Sequence, residues 1–250
     1  MLDENVLSLR PAREFAILLY HRIVVTEPYG EASKTACSAR VLASHLAALL
    51  DSGYTPVSLD QACDWLKSRS GPPGKPLVIT LDDGYRDNCD VALPILRRFG
   101  ATAGVFVTTG VVGRKSTWTT VRRPMLSWTQ MREMAGMGVW FGAHTVHHVR
   151  LTQLPSGPAR REIVESRQAL EEQLAIPIRH FAYPYGDNDE RIQEIVRAEG
   201  FQTGLSATEG CNRESTDPYA FFRVPVFGTT TVAELMRKLA PSRDESSHLK

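Results

Sequence analysis

One alternation, repeated from end to end, constrains this chain most: a strand-length apolar run, then a stretch with helical spacing. The runs fall at residues 15–20, 77–81, 102–108, 138–143, 178–182, 201–205 and 223–227. Between the first two, Val41, Leu42, His45, Leu46, Leu49 and Leu50 recur at helical spacing until Gly53, and Ser58 opens a short helix through Leu66. Further helices are expected over 87–99, after a capping Ser127, over 158–175, 189–199 and 232–239. Strands that each hand over to a helix are predicted to run parallel, because a parallel return needs a crossover and the crossovers cover both faces of the sheet. The fold class is therefore α/β. About seven such units in 250 residues, with no internal repeat or linker, favour a single barrel domain over an open sheet.

Charge and cysteine usage narrow the function classes. Lys and Arg number 29 against 28 Asp and Glu, so the net charge is +1. A chain that grips nucleic acid by its phosphates carries a basic excess, so a nucleic-acid partner is not expected. Cys37, Cys63, Cys89 and Cys211 form no C-x-x-C pair and read as reduced thiols. No apolar run approaches the 18 or so residues of a membrane span. The run at 15–20 is too short for a signal-peptide core, which makes a cytoplasmic location the expectation, or a secreted one if a leader has been trimmed. The polar stretch 241–250 reads as a disordered tail, and the oligomeric state is not legible.

In parallel α/β folds the chemistry collects where strands end. After the run 77–81 comes Asp82-Asp83-Gly84. Two adjacent carboxylates there repel each other and lose hydration unless a cation offsets both costs; a helix cap with a turn is the plainer alternative. After 138–143 comes His144-Thr145-Val146-His147-His148. Histidines four apart share a face of a helical turn and can share a metal, while His147 points elsewhere. After 178–182 comes Tyr183-Pro184-Tyr185-Gly186, a turn able to present an aromatic ring and backbone N–H groups. His21 follows the first run. One Asp and two His make a suitable shell for Zn²⁺, with positions left for water and substrate and a second Asp free to act as a base.

Assembled, these residues resemble the polysaccharide deacetylase family, carbohydrate esterase family 4, whose domain is also called the NodB homology domain. The resemblance covers about residues 15–240. Its T-[FL]-D-D-G motif is matched by Thr80-Leu81-Asp82-Asp83-Gly84, its H-[ST]-x-x-H motif by His144 to His148, and its third motif in part by Tyr183-Pro184-Tyr185-Gly186. It implies a distorted (β/α) barrel and a metal-dependent N-deacetylase acting on N-acetylated amino sugars. Carried over, Asp83, His144 and His148 would bind the divalent metal (Zn²⁺, or Co²⁺ or Ni²⁺). Asp82 would be the base, and the Tyr185 N–H would hold the oxyanion. Tyr183, Pro184 and Tyr185 would contact substrate.

Two departures stand out. The Arg that often opens the third motif and steadies the base is replaced by Ala182, leaving Arg179 and Arg223 to take its part. The late Leu-x-His motif is missing too. In the branch resembling poly-N-acetylglucosamine deacetylases, a Tyr-His pair after the first strand supplies the acid instead, and Tyr20-His21 fits it. Trp118, in the long loop after 102–108, is the candidate for sugar stacking, whereas Trp128 and Trp140 are expected in the core. Two other readings remain open at this point: a deacylase of a small amide, and a degenerate barrel that binds glycan without turnover.

Overall fold

A computed structural model describes residues 13–28, 34–67 and 74–240; the expected tail and most of the Gly/Pro-rich loop at 68–76 lie outside the described residues. In chain order the strands are β1 (Glu14–Tyr20), β2 (Arg22–Val24), β3 (Ala36–Ser38), β4 (Tyr54–Pro56), β5 (Lys75–Leu81), β6 (Gly104–Val107), β7 (Trp140–Ala143), β8 (His180–Ala182), β9 (Thr203–Leu205), β10 (Asn212–Arg213) and β11 (Val224–Pro225). The helices are α1 (Ala39–Asp51), α2 (Leu59–Lys67), α3 (Leu93–Arg98), α4 (Trp128–Gly136), α5 (Ser156–Leu174), α6 (Glu190–Ala198) and α7 (Val232–Lys238).

Parallel pairing runs β11-β1-β5-β6-β7-β8-β9. A parallel bridge between Leu205 and Phe221 brings the end of β9 back beside the segment leading into β11. Seven parallel strands thus curl into a distorted β/α barrel, as the alternation predicts. β10 adds an antiparallel pair on β1, and β2 and β3 form a separate two-stranded sheet.

Side-chain parity divides the core. From β1, Phe15 and Ile17 enter one buried cluster while Ala16, Leu18 and Tyr20 enter another. The first also contains Val78, Phe106 and Phe221, together with Leu59, Ala62 and Leu66 of α2. The second is the layer between the strands and the outer helices, including Leu42, Leu46, Ile163 and Leu170. Alternation along a strand accounts for both assignments.

Local chemistry sets the helix ends. Ser127 caps α4 by accepting from the Gln130 N–H, and the Gln130 side chain accepts from the Ser127 N–H, a reciprocal capping box. Asp189 caps α6 in the same sense, through the Ile192 N–H. The helix expected over 87–99 is instead a π-helical turn, Asn88–Ala92, leading into α3, with Pro94 just inside it. Such turns are frequent near functional sites, and this one carries Asn88 toward the first strand end. No helix among the described residues is long and apolar enough to cross a membrane.

Candidate active site

Register gathers the strand ends. Tyr20 pairs with Leu81, Val107 with Ala143, and Ala143 with Phe181, so the residues that follow each emerge on one rim. The Asp82 N–H still donates to the Tyr20 carbonyl at 2.9 Å, which sets Asp82 beside His21. The His21 carbonyl accepts from Asn88 Nδ2 at 2.8 Å.

Asp82 shares the parity of Val78 and Thr80, so its carboxylate faces inward; Asp83 must be turned to reach the same place. Its φ of 77° and that of Gly84, 82°, do this. Asp83, Thr145, His148 and Tyr185 all hold positive φ, and the fifth such non-glycine residue among the described ones, Ala175, ends α5. Left-handed backbone at a non-glycine residue costs about 1–3 kcal/mol and clusters at functional sites.

The two histidines therefore do not sit on a helical turn, contrary to the spacing argument. Residues 144–148 form a loop whose folding is local: the His148 N–H donates to Thr145 Oγ1 at 2.9 Å, and Glu162 accepts from the Val146 and His147 N–H groups. Gly110 lets the chain after β6 pack on this loop, because a Cβ there would stand 2.6 Å from the Val146 carbonyl oxygen. His147 points outward to Glu162, as expected.

The result is a compact cluster. One ligand atom each from Asp83, His144 and His148 lies within 4.8 Å of the others, and all three residues are buried. His144 Nδ1 is 2.7 Å from the Ala182 carbonyl, so that nitrogen carries the hydrogen and the Nε2 lone pair faces Asp83. Asp83 Oδ1 lies 3.4 Å from His144 Nε2 and 3.1 Å from His148 Nε2, yet receives no hydrogen bond, and His148 Nδ1 is also unpartnered. A buried carboxylate oxygen facing two ring nitrogens with no hydrogen directed at it is a costly arrangement for bare protein. It is the arrangement a divalent cation satisfies. Burial, the largest influence, lowers the His148 pKa despite Asp83, favouring the neutral ring a metal requires.

Asp82 stands beside this cluster on a different partner. Arg223, which precedes β11, donates to it through both terminal nitrogens, at 2.7 and 2.8 Å, while its Nε donates to the Ser206 carbonyl. Both residues are buried, Arg223 at 1% exposure. Burial alone would raise the Asp82 pKa, but the Arg223 guanidinium, with His144, more than offsets this and holds the carboxyl below its usual range. Arg223 thus occupies the part left open by Ala182. Arg179 lies on the surface, paired with Asp60.

Of the expected third-motif contacts, only Tyr185 is presented, at 48% exposure. Tyr183 must be corrected: its ring is buried against Phe181 and its hydroxyl donates to the Tyr219 carbonyl at 2.8 Å, so it cannot meet a sugar. Pro184 is buried too and shapes the turn. Trp118 stacks one face on the His148 ring, with centroids 4.3 Å apart, and Tyr185 meets the same ring edge-on at 4.6 Å. Trp118 is therefore part of the wall that holds a cluster residue. Trp128 and Trp140 pack against the core as expected.

Comparison with known proteins agrees with this geometry. The chain is 27% identical to YxkH of Bacillus subtilis over 217 residues, covering 87% of this chain and 72% of that one. It is 25% identical over 170 residues to the poly-β-1,6-N-acetyl-D-glucosamine N-deacetylase of Staphylococcus aureus, covering 64% of this chain and 57% of that enzyme's length. The Streptococcus pyogenes deacetylase PplD, solved in complex with acetate, superposes with a TM-score of 0.82 at 26% identity, over 92% of this chain and all of that one. The sequence profile of polysaccharide deacetylases matches residues 69–204, more than half the chain, a span holding both the Asp82-Asp83 pair and the histidine loop. The chain belongs to the polysaccharide deacetylase family.

Proposed function

We propose that this protein is a metal-dependent N-deacetylase that removes acetyl groups from N-acetylated amino sugars of a glycan. The observation that carries the reading is the meeting of two sites: the Asp83, His144 and His148 cluster, with its unsatisfied oxygen, and a separate carboxylate, Asp82, pinned beside it by Arg223. The S. aureus relative acts on poly-β-1,6-N-acetyl-D-glucosamine by its name, which makes that polymer the first substrate to try. The donor set of one carboxylate and two imidazoles suits Zn²⁺, with Co²⁺ and Ni²⁺ as alternatives.

A divalent cation held by Asp83, His144 and His148 supplies Lewis acidity and makes nearby water more acidic. Asp82, held ionised by Arg223, accepts a proton from the attacking water as its oxygen bonds to the acetyl carbon. The Tyr185 N–H donates to the developing oxyanion, an interaction whose loss typically costs about 2.7–4 kcal/mol of barrier. His21 delivers a proton to the sugar nitrogen as the carbon–nitrogen bond breaks, since an unprotonated amide anion leaves poorly. The products are acetate and a free amine. His21 follows directly on Tyr20, whose carbonyl accepts from the Asp82 N–H, so it stands at the same rim as that carboxylate.

Acetate release from a β-1,6-linked N-acetylglucosamine tetramer tests the reading. Asp82→Asn is expected to bind zinc as the wild type does and to lose about 10²–10⁴-fold in turnover. His144→Ala is expected to lose both. Full activity in Asp82→Asn would remove Asp82 from the role of base.

A further inference from the structure

Two arginines near the cluster, Arg123 and Arg150, make no ion pair among the described residues. On one side a cleft of about 440 Å³ is lined by Trp118, Tyr85, Arg22, Lys34 and Arg123, with threonines and Val121, and no described lining residue is acidic. Its inner wall is Trp118, whose face lies on His148. Arg22 is paired with Asp87, whereas Arg123 makes no ion pair among the described residues. On the other side the Arg150 guanidinium sits 4.3 Å from the centre of the Tyr185 ring, and that ring meets His148. Arg150 is exposed and also makes no ion pair among the described residues.

Each of the two aromatic rings touching His148 thus has an unneutralised arginine beyond it or beside the cleft it walls. The sequence reinforces this. Between Asp90 and Glu162 there is one carboxylate, Glu133, although the whole chain is nearly neutral. The long loop carries Arg114, Lys115, Arg122 and Arg123 with no acid among them. A neutral polymer of N-acetylglucosamine gives such charges nothing to pair with, and its deacetylated product is cationic and would be repelled.

Building on the deacetylase reading, we propose that the substrate is an anionic glycan, in which the N-acetylated amino sugar at the cluster is flanked by residues bearing carboxylate or phosphate groups that pair with Arg123 and Arg150. Aromatic walls suit sugar faces, and guanidinium groups suit planar or tetrahedral oxyanions through paired N–H donors. Opposite charge at an exposed rim acts mainly on encounter and KM, is screened by salt, and leaves the chemical step alone.

The test compares three oligosaccharides on the zinc-loaded enzyme. They are a neutral N-acetylglucosamine tetramer, a hyaluronan tetrasaccharide as the carboxylate arm, and a phosphodiester-linked N-acetylglucosamine trimer as the phosphate arm. At low ionic strength kcat/KM for one anionic arm should exceed the neutral arm by about tenfold or more, and the gap should close in about 0.5 M salt. Arg123→Gln and Arg150→Gln should each raise KM for that arm several-fold, leave its kcat unchanged, and leave the neutral arm untouched.

Equal use of all three oligosaccharides, or variants that weaken neutral and anionic arms alike, would overturn the inference and leave the deacetylase reading standing. Acetate release from none of them would count against the deacetylase reading instead. Calorimetric binding of the same oligosaccharides would then decide the rim: salt-sensitive preference for an anionic arm supports it, and no preference overturns it. Sedimentation with phosphatidylglycerol vesicles that is lost in Arg123→Gln, without preference among the oligosaccharides, would assign the rim to a membrane surface and also overturn it.

Discussion

Replacing Arg223 tests how the Asp82 carboxylate is held. Arg223→Met removes two charge-assisted hydrogen bonds to Asp82, at 2.7 and 2.8 Å, and one to the Ser206 carbonyl. It leaves a carboxylate that is 3% exposed with no cation opposite. Breaking one side of a buried ion pair costs about 3–5 kcal/mol, because the remaining charge is stranded. For a chain of this size each kcal/mol moves Tm by about 2–4 °C, so a fall of roughly 6–20 °C is expected. The desolvation that Arg223 now offsets would then be opposed by the neighbouring histidines alone, raising the Asp82 pKa. The double variant Arg223→Met with Asp82→Asn carries no stranded charge and should be more stable than either single variant would suggest by addition. Urea unfolding of the four proteins gives the coupling directly. Strict additivity would refute the pairing, as would an Arg223→Met protein as stable as the wild type.

Two further outcomes follow from side chains away from the cluster. Burial pushes the Asp87 carboxyl up to about 6 although Arg22 lies 2.9 Å away. Because the folded value lies above the unfolded one, Asp87 favours the fold below about pH 4, and that contribution is lost as pH rises through 6. Measured by urea unfolding, the stability of the wild type relative to Asp87→Asn should fall by roughly 2 kcal/mol between pH 4 and 7; a flat difference would contradict the burial argument. Burial likewise pushes the Cys37 and Cys63 thiols up to about 12 and Cys211 to about 11. At pH 8 only about one Cys37 thiol in ten thousand is ionised, so native protein should resist iodoacetamide at these three positions and react at all four cysteines in urea. Rapid native labelling of Cys37 would be the contrary result.

Much of the site was legible because it is written in contiguous motifs. The strand at 77–81 announces where Asp82 and Asp83 stand, and the histidine spacing announces a shared ligand. The helical rationale for that spacing failed, because Thr145 and His148 adopt left-handed backbone held by Thr145 Oγ1 and Glu162. No periodicity encodes such a loop. Tyr183 and Tyr185 look alike in sequence, yet one is buried at a strand end and the other is turned outward by a φ of 62°. Arg223 stands 141 positions from the aspartate it grips, and only the barrel's closure brings them together. The strands that went unread, β2, β3, β4 and β10, are two or three residues long, too short for alternation to register.

The account rests on three side chains clasping one cation while Asp82 stays with Arg223. Anomalous diffraction at the zinc edge from crystals grown with zinc tests this most directly. A single peak is predicted about 2.0–2.2 Å from Asp83 Oδ1, His144 Nε2 and His148 Nε2, with Asp82 still bonded to Arg223. A peak elsewhere, or zinc bound through Asp82 with Asp83 turned away, would contradict it.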